Sequence, residues 1–196
     1  MNLVLASGNS GKLRELAQLL APSGYALISQ SSLGIEPIEE TGTTFEANAL
    51  AKARHAAELA QLPALADDSG IEVDALGGRP GVYSARYAGE GASDDANLKK
   101  LLQELAGVPA ARRTARYRCV IAYVRSAADA RPLLATGVWE GRILEAPRGR
   151  GGFGYDPVFL PEGSARSAAE LTAAEKDAVS HRGRALLQLR AQLSRP

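Results

Sequence analysis

The first twenty residues constrain the fold most. Residues 2–6 are a short, mostly apolar run that stops at Ser7-Gly8-Asn9-Ser10-Gly11, and from Lys12 onward Leu13, Leu16, Ala17 and Leu20 recur at helical spacing. An apolar run bounded by turn residues predicts a buried strand, and the spacing predicts an amphipathic helix directly behind it. Strand, tight turn and helix in that order open an α/β chain, and residues 26–29 supply a second short strand.

The rest of the chain continues the pattern. Thr43 followed by Glu46 predicts a capping box and a helix to about Gln61, with Phe45, Ala49, Ala53 and Ala56 on one side. Residues 62–66 predict a third strand ending at Asp67-Asp68-Ser69-Gly70. Ile71, Val73 and Ala75 then alternate with acids as a half-buried strand. A glycine-rich loop at 77–81 precedes a leucine-bearing helix over 93–106. Two strands at 117–124 and 133–139 follow, then a second glycine-rich loop at 149–156. Thr172 with Glu175 is another capping box, and Ser180 can cap a last helix to about Leu193. Helices and strands alternate first and strands dominate later, which predicts α/β with a mixed sheet. No repeat or linker divides residues 1–196, so the chain reads as a single α/β domain.

Composition narrows the function. Twenty-three basic and 22 acidic residues leave a net charge of +1, which excludes a basic coat for nucleic acid, and no nucleic-acid partner is expected. A lone Cys119 excludes an internal disulfide and any cysteine-cluster metal site. No apolar run approaches the roughly 18–20 residues that cross a bilayer. The first residues lack a signal-peptide pattern, so a cytoplasmic protein without a membrane partner is expected.

Four polar segments fall at predicted element ends, where α/β sheets collect ligands. Ser7-Gly8-Asn9-Ser10-Gly11-Lys12 places small residues, a helix start and a lysine where an anion would bind, although the spacing is not that of a Walker loop. The same residues suit a plain tight turn. Glu39-Glu40-Thr41-Gly42 precedes a helix on which Asn48 and Lys52 share a face; acids at a helix start and a surface lysine are the simpler alternative. Asp67 and Asp68 are adjacent acids after an apolar strand, a repulsion that a hard cation would relieve and an exposed turn would also explain. Finally, Gly151-Gly152-Phe153-Gly154-Tyr155-Asp156 joins Lys176, His181 and Arg182. An aromatic framed by glycines can lie against a nucleobase, or pack in a core. His55 reads as structural. Arg112, Arg113, Arg116 and Arg118 read as a solvated strand edge.

With these motifs assembled, the chain closely resembles the non-canonical purine nucleoside triphosphate pyrophosphatases, the inosine or xanthosine triphosphatases (ITPase-like). The resemblance rests on Ser-Gly-Asn-Ser-Gly-Lys from Ser7, Glu-Glu-Thr-Gly-Thr-Thr-Phe-Glu-Ala-Asn-Ala from Glu39 and Ala-Asp-Asp-Ser-Gly from Ala66. It continues with Pro-Gly-Val-Tyr-Ser-Ala-Arg-Tyr from Pro80, Gly-Gly-Phe-Gly-Tyr-Asp-Pro from Gly151 and Glu-Lys-Asp-Ala-Val-Ser-His-Arg from Glu175. Ala47 and Asp177 depart from the pattern, which commonly has Glu and Asn there.

The resemblance implies an elongated α/β fold with two lobes around a long mixed β-sheet with flanking helices, and an active site in the cleft between the lobes. It implies Mg²⁺-dependent hydrolysis of ITP, dITP and XTP to the monophosphate and pyrophosphate by a homodimer. By motif, Ser7, Gly8, Asn9, Ser10, Gly11, Lys12 and Lys52 would hold the triphosphate. Glu39 and Asp68 would hold Mg²⁺, with Glu40 the neighbouring candidate, and Asp68 would also activate the water. Ser69, Phe153, Gly154, Tyr155, Asp156, Lys176, His181 and Arg182 would complete the nucleotide site. Two rivals are a pyrophosphatase for modified pyrimidine or methylated nucleotides and a non-catalytic nucleotide- or RNA-binding module. The paired carboxylates oppose the second, because they repel phosphate unless a metal intervenes.

Overall fold

The computed structural model describes residues 2–20 and 24–194. Six strands, β1 (Asn2–Leu5), β2 (Ala26–Ser29), β3 (Ala64–Val73), β4 (Thr114–Val124), β5 (Leu133–Ile143) and β6 (Phe159–Pro161), form one sheet in the order β2-β1-β3-β4-β5-β6. β1 runs parallel to β2, with Leu3 against Leu27, and parallel to β3, with Val4 against Ala64. β5 and β6 are antiparallel, with Arg142 against Leu160, so the sheet is mixed as the alternation predicts. The flanking helices are α1 (Ser10–Leu20), α2 (Phe45–Ala60), α3 (Asp94–Glu104), α4 (Ala173–Val179) and α5 (His181–Leu193). No helix among the described residues is long and apolar enough to cross a membrane.

The chain divides into two compact units. The first comprises Met1–Asp68, Cys119–Gly137 and Arg182–Pro196, and the second Ser69–Arg118 and Val138–His181. The first has a core of Leu3, Leu5, Leu16, Leu20, Leu65, Ile121, Leu186 and Leu189. Leu16 and Leu20 are one helical turn apart on α1, so one face of that helix enters the core. Full burial contributes about 1.5–3 kcal/mol per such side chain, and Leu16→Ala would cost about 2–5 kcal/mol. The second core is aromatic. Tyr117 meets Phe159 edge-on with ring centroids 4.7 Å apart, Trp139 lies 5.2 Å from Phe159, and Ile71 and Val73 of β3 pack beside them.

Three local expectations change. β3 runs unbroken through Asp67-Asp68-Ser69-Gly70, where the sequence predicted the end of one strand and the start of another. Thr44, not Thr43, caps α2, its hydroxyl accepting from the Ala47 N–H. The arginine cluster is no solvated edge, because β4 lies between β3 and β5 and acids face it. Arg116 pairs with Asp74 at 3.0 Å and Glu140 at 3.1 Å, and Arg118 with Glu72 at 3.4 Å. Arg113 is buried and donates to the carbonyls of Leu105, Val108 and Leu144. His55 is structural as expected, its Nε2 lying 2.9 Å from the Glu36 carbonyl.

Candidate active site

The pleat of β3 separates the two adjacent aspartates. Successive strand side chains point to opposite faces, so Asp67 and Asp68 need not repel each other across one space. Different cations bond to each of them, and this satisfies a doublet for which the sequence offered a bound cation or an exposed turn.

On the Asp68 side the partners come from α2 and the loop before it. Lys52 Nζ donates to Asp68 Oδ1 at 2.9 Å and to Glu40 Oε1 at 2.7 Å. Asn48, one helical turn earlier and only 2% exposed, donates from Nδ2 to Asp68 Oδ2 at 3.1 Å. Its Oδ1 accepts the Gly42 N–H at 2.8 Å. Burial pushes the Asp68 carboxyl above its ordinary value; Lys52 and Lys12 oppose this without cancelling it. Burial also works against the Lys52 ammonium, but Asp68, Asp67 and Glu40 outweigh it and hold the lysine charged. A cavity of about 250 Å³ opens beside these groups, lined by Glu39, Glu40, Gly42, Asn48 and Lys52. Glu39 is exposed, whereas Glu40 is the one of the pair bonded to Lys52.

Among the described residues no three His, Cys, Asp or Glu side chains gather as a metal cage. Asp68 and Glu40 nevertheless converge on a single cation, the Lys52 ammonium. Two hard oxygen donors around one positive charge suit a hard divalent ion that fills its shell with ligand phosphate and water.

On the Asp67 side the groups are more enclosed. Asp67 Oδ2 lies 3.3 Å from Lys12 Nζ and 3.3 Å from both Nε and Nη2 of Arg182. Arg182 is 1% exposed, and its Nη1 also donates to Glu15. Burial alone would raise the Asp67 carboxyl, but Lys12 and Arg182 hold it well below the usual carboxylate range. The loop before α1 also differs from expectation. Asn9 Oδ1 accepts from the N–H groups of Gly11 at 2.9 Å and Lys12 at 3.1 Å, so these helix-start donors already have a partner. Ser7 is buried and its Oγ accepts the Asn9 N–H at 3.2 Å; Gly8 is exposed. Ser10 begins α1, and its side chain lies outside the described residues.

In the second unit, Asp156 organises the glycine-rich loop. Its Oδ2 accepts the Phe153 N–H at 2.9 Å and Lys176 Nζ at 2.6 Å, and its Oδ1 accepts the Tyr117 hydroxyl at 3.2 Å. Gly152 has φ +72°, and a Cβ there would fall 2.0 Å from Asp156 Oδ2, so only glycine fits. Lys176 Nζ sits 4.8 Å from the centre of the half-buried Phe153 ring. His181 stacks on Tyr117 with centroids 4.6 Å apart and planes 7° apart. The Gly154 N–H donates to Asp94, and Tyr155 is a core residue whose hydroxyl donates to the Ser84 carbonyl. Ser69 follows Asp68 in β3 and is half-buried.

The chain as a whole has counterparts in known proteins. The Ham1 family profile matches residues 3–192. The chain belongs to the Ham1 family. A dITP/XTP pyrophosphatase of Methylococcus capsulatus is 59% identical over 191 residues, 97% of this chain and 95% of the relative. The dITP/XTP pyrophosphatase of Escherichia coli K12 is 55% identical over 184 residues, 94% and 93% of the two chains. A HAM1 protein from Coxiella burnetii superposes with a TM-score of 0.90 at 48% identity, covering 99% of this chain and 98% of that one.

Within this Ham1-family chain the structure gathers Lys12, Lys52 and Asp68 in the first unit with Glu40 beside them. It gathers Phe153, Asp156, Lys176 and His181 in the second. Arg182 is committed to Asp67 and Glu15. Sequence reasoning missed Asp67 as an organiser of cations, Tyr117 beneath His181, and Asn48 as a partner of Asp68. Helical spacing places Asn48 on one face with Lys52 but does not show its bond to Asp68. Tyr117 carries no signal beyond an ordinary strand alternation.

Proposed function

We propose that the chain hydrolyses non-canonical purine nucleoside triphosphates of the ITP, dITP and XTP class, releasing the nucleoside monophosphate and pyrophosphate with Mg²⁺. The observation that carries this is Asp68: a buried carboxylate with raised proton affinity, held by Asn48 and Lys52 beside a second acidic group. A carboxylate so placed is suited to orient a water and take its proton as the oxygen attacks the α-phosphorus. The bond to the bridging oxygen breaks and pyrophosphate leaves with the electron pair. Lys12 and Lys52 oppose the charge that builds on the leaving group. Ser7 to Gly11 line the triphosphate beside Lys12. Because Asn9 caps the first turn of α1, the lysine ammonium rather than the helix amides supplies most of the positive charge.

Asp68 and one carboxylate of the Glu39–Glu40 pair would hold Mg²⁺. Glu39 lines the cavity, and Glu40 already meets the Lys52 cation. When bound, the ion supplies charge neutralisation between the phosphates. Phe153 would stack on the purine, supported by Gly154, Tyr155 and Asp156, with Ser69 at the nucleotide. Donors from Lys176 and His181 would match a 6-oxygen and oppose a 6-amine, while Arg182, expected from the resemblance to share this role, is held by Asp67 and Glu15. A buried mismatch costs about 1–3 kcal/mol, so two give about two to four decades of selectivity. The chain would act as a homodimer; a sedimenting species of 20.5 kDa alone at micromolar concentration would count against that.

The test is a panel of ITP, dITP, XTP, GTP, ATP and modified pyrimidine triphosphates assayed for pyrophosphate release with and without Mg²⁺. Release confined to the first three and dependent on Mg²⁺ supports the reading. Preference for a modified pyrimidine, or binding without turnover, overturns it. Glu39→Gln and Glu40→Gln titrated with Mg²⁺ identify the second metal carboxylate by the larger rise in half-saturation.

A further inference from the structure

α2 turns an alanine face inward: Ala49, Ala53 and Ala56 are fully buried, and the helix contacts β1. Asn48 adjoins that face and is nearly as buried. A buried amide must have both ends satisfied, and the partners fix which end is which. Asp68 Oδ2 needs a donor and receives Nδ2 at 3.1 Å. The Gly42 N–H needs an acceptor and receives Oδ1 at 2.8 Å. The amide therefore ties the loop carrying Glu39 and Glu40 to the carboxylate on β3.

We infer that Asn48 is a positioning residue for the hydrolysis: it fixes the orientation of the Asp68 carboxylate relative to the acidic loop, without touching the substrate. The inference rests on the proposed role of Asp68. Lys52 holds Asp68 Oδ1, and Asn48 holds Oδ2, so together they stop the carboxylate from rotating. Gly42 belongs to the same device. Its Cβ, if present, would lie 2.4 Å from Asn48 Oδ1 and 3.1 Å from Ala47 Cβ, so any larger residue displaces the amide.

Two substitutions separate this role from simple loop anchoring. Asn48→Asp keeps the shape and the acceptor for Gly42 but replaces the donor facing Asp68 with a carboxylate. Gly42→Ala keeps every polar group and pushes Asn48 aside. Positioning predicts that kcat for ITP falls about 100-fold in Asn48→Asp and about tenfold in Gly42→Ala. KM, and the affinity for the non-hydrolysable α,β-imido analogue of ITP, should stay within about threefold. The double variant should be no slower than Asn48→Asp by more than about twofold, because both changes break one contact. Thermal melting of each free protein confirms that it is folded. Near-parental kcat in folded Asn48→Asp, with Asp68→Asn inactive, overturns the inference and spares the Asp68 reading. A parental kcat in Gly42→Ala overturns it too, as does a loss confined to KM. An active Asp68→Asn protein removes the underlying reading, and this inference with it.

Discussion

Asp67 and Asp68 are consecutive residues of one strand, and they are opposites. Asp67 is enclosed by two cations, one from the start of α1 and one from the first turn of α5, and its proton affinity is driven down. Asp68 shares Lys52 with Glu40, and its proton affinity is driven up. The same side chain in the same backbone thus holds its proton less readily at one position and more readily at the next. The number and sharing of cations decide it, since both groups are buried. A strand delivers this division cheaply, because its pleat turns neighbours to different environments.

The largest effect should come from Asp68→Asn. Its kcat for ITP should fall about 1,000-fold or more while the melting temperature moves by only a few degrees. Turnover within tenfold of the parent would collapse the contrast.

Asp67→Asn should do the reverse. Removing one partner of a buried pair leaves Arg182 undercompensated and costs about 3 kcal/mol at pH 7, read by denaturant unfolding. The sign follows from the depressed folded-state value. The stabilisation is present above the ordinary aspartate value of 3.8 and is lost as pH falls through the lower folded value. The stability gap between parent and variant should therefore persist at pH 5 and close only in stronger acid. An equally stable variant with no activity would reverse the assignment of the two residues.

Lys12→Met should cost less stability than Asp67→Asn, because Arg182 still faces Asp67. Its KM for ITP should rise about tenfold with kcat less affected. A stability loss as large as that of Asp67→Asn would mean that Lys12, not Arg182, is the main counterion.

Much of this architecture is legible in the chain. The strand–turn–helix opening, the alanine face of α2, the capping box at Thr172 and the last helix from His181 follow from periodicity and cap chemistry. The doublet at 67–68 misleads because Asp, Ser and Gly favour turns only while nothing distant neutralises them. Lys12, Lys52 and Arg182 do so here, from three separate elements. The arginines of β4 mislead for a similar reason: their acids lie on β3, β5 and the turn after β3, invisible to local reading. Thr44 instead of Thr43 is a one-residue shift that adjacent threonines leave open. The role of Asn48 needs a tertiary partner twenty residues away, which spacing alone does not supply.

The pairing of Arg182 with Asp67 spans 115 residues of chain. At about 5–20 residues per second, a ribosome takes roughly 6–23 s to add that stretch. During that interval Asp67 has Lys12 but lacks the Arg182 guanidinium. An undercompensated buried charge is costly, so the nascent β3 has reason to stay hydrated at this point until α5 arrives. The timing of biosynthesis is thereby written into the salt bridge: a unit whose strand β3 is made early is completed only when α5 follows.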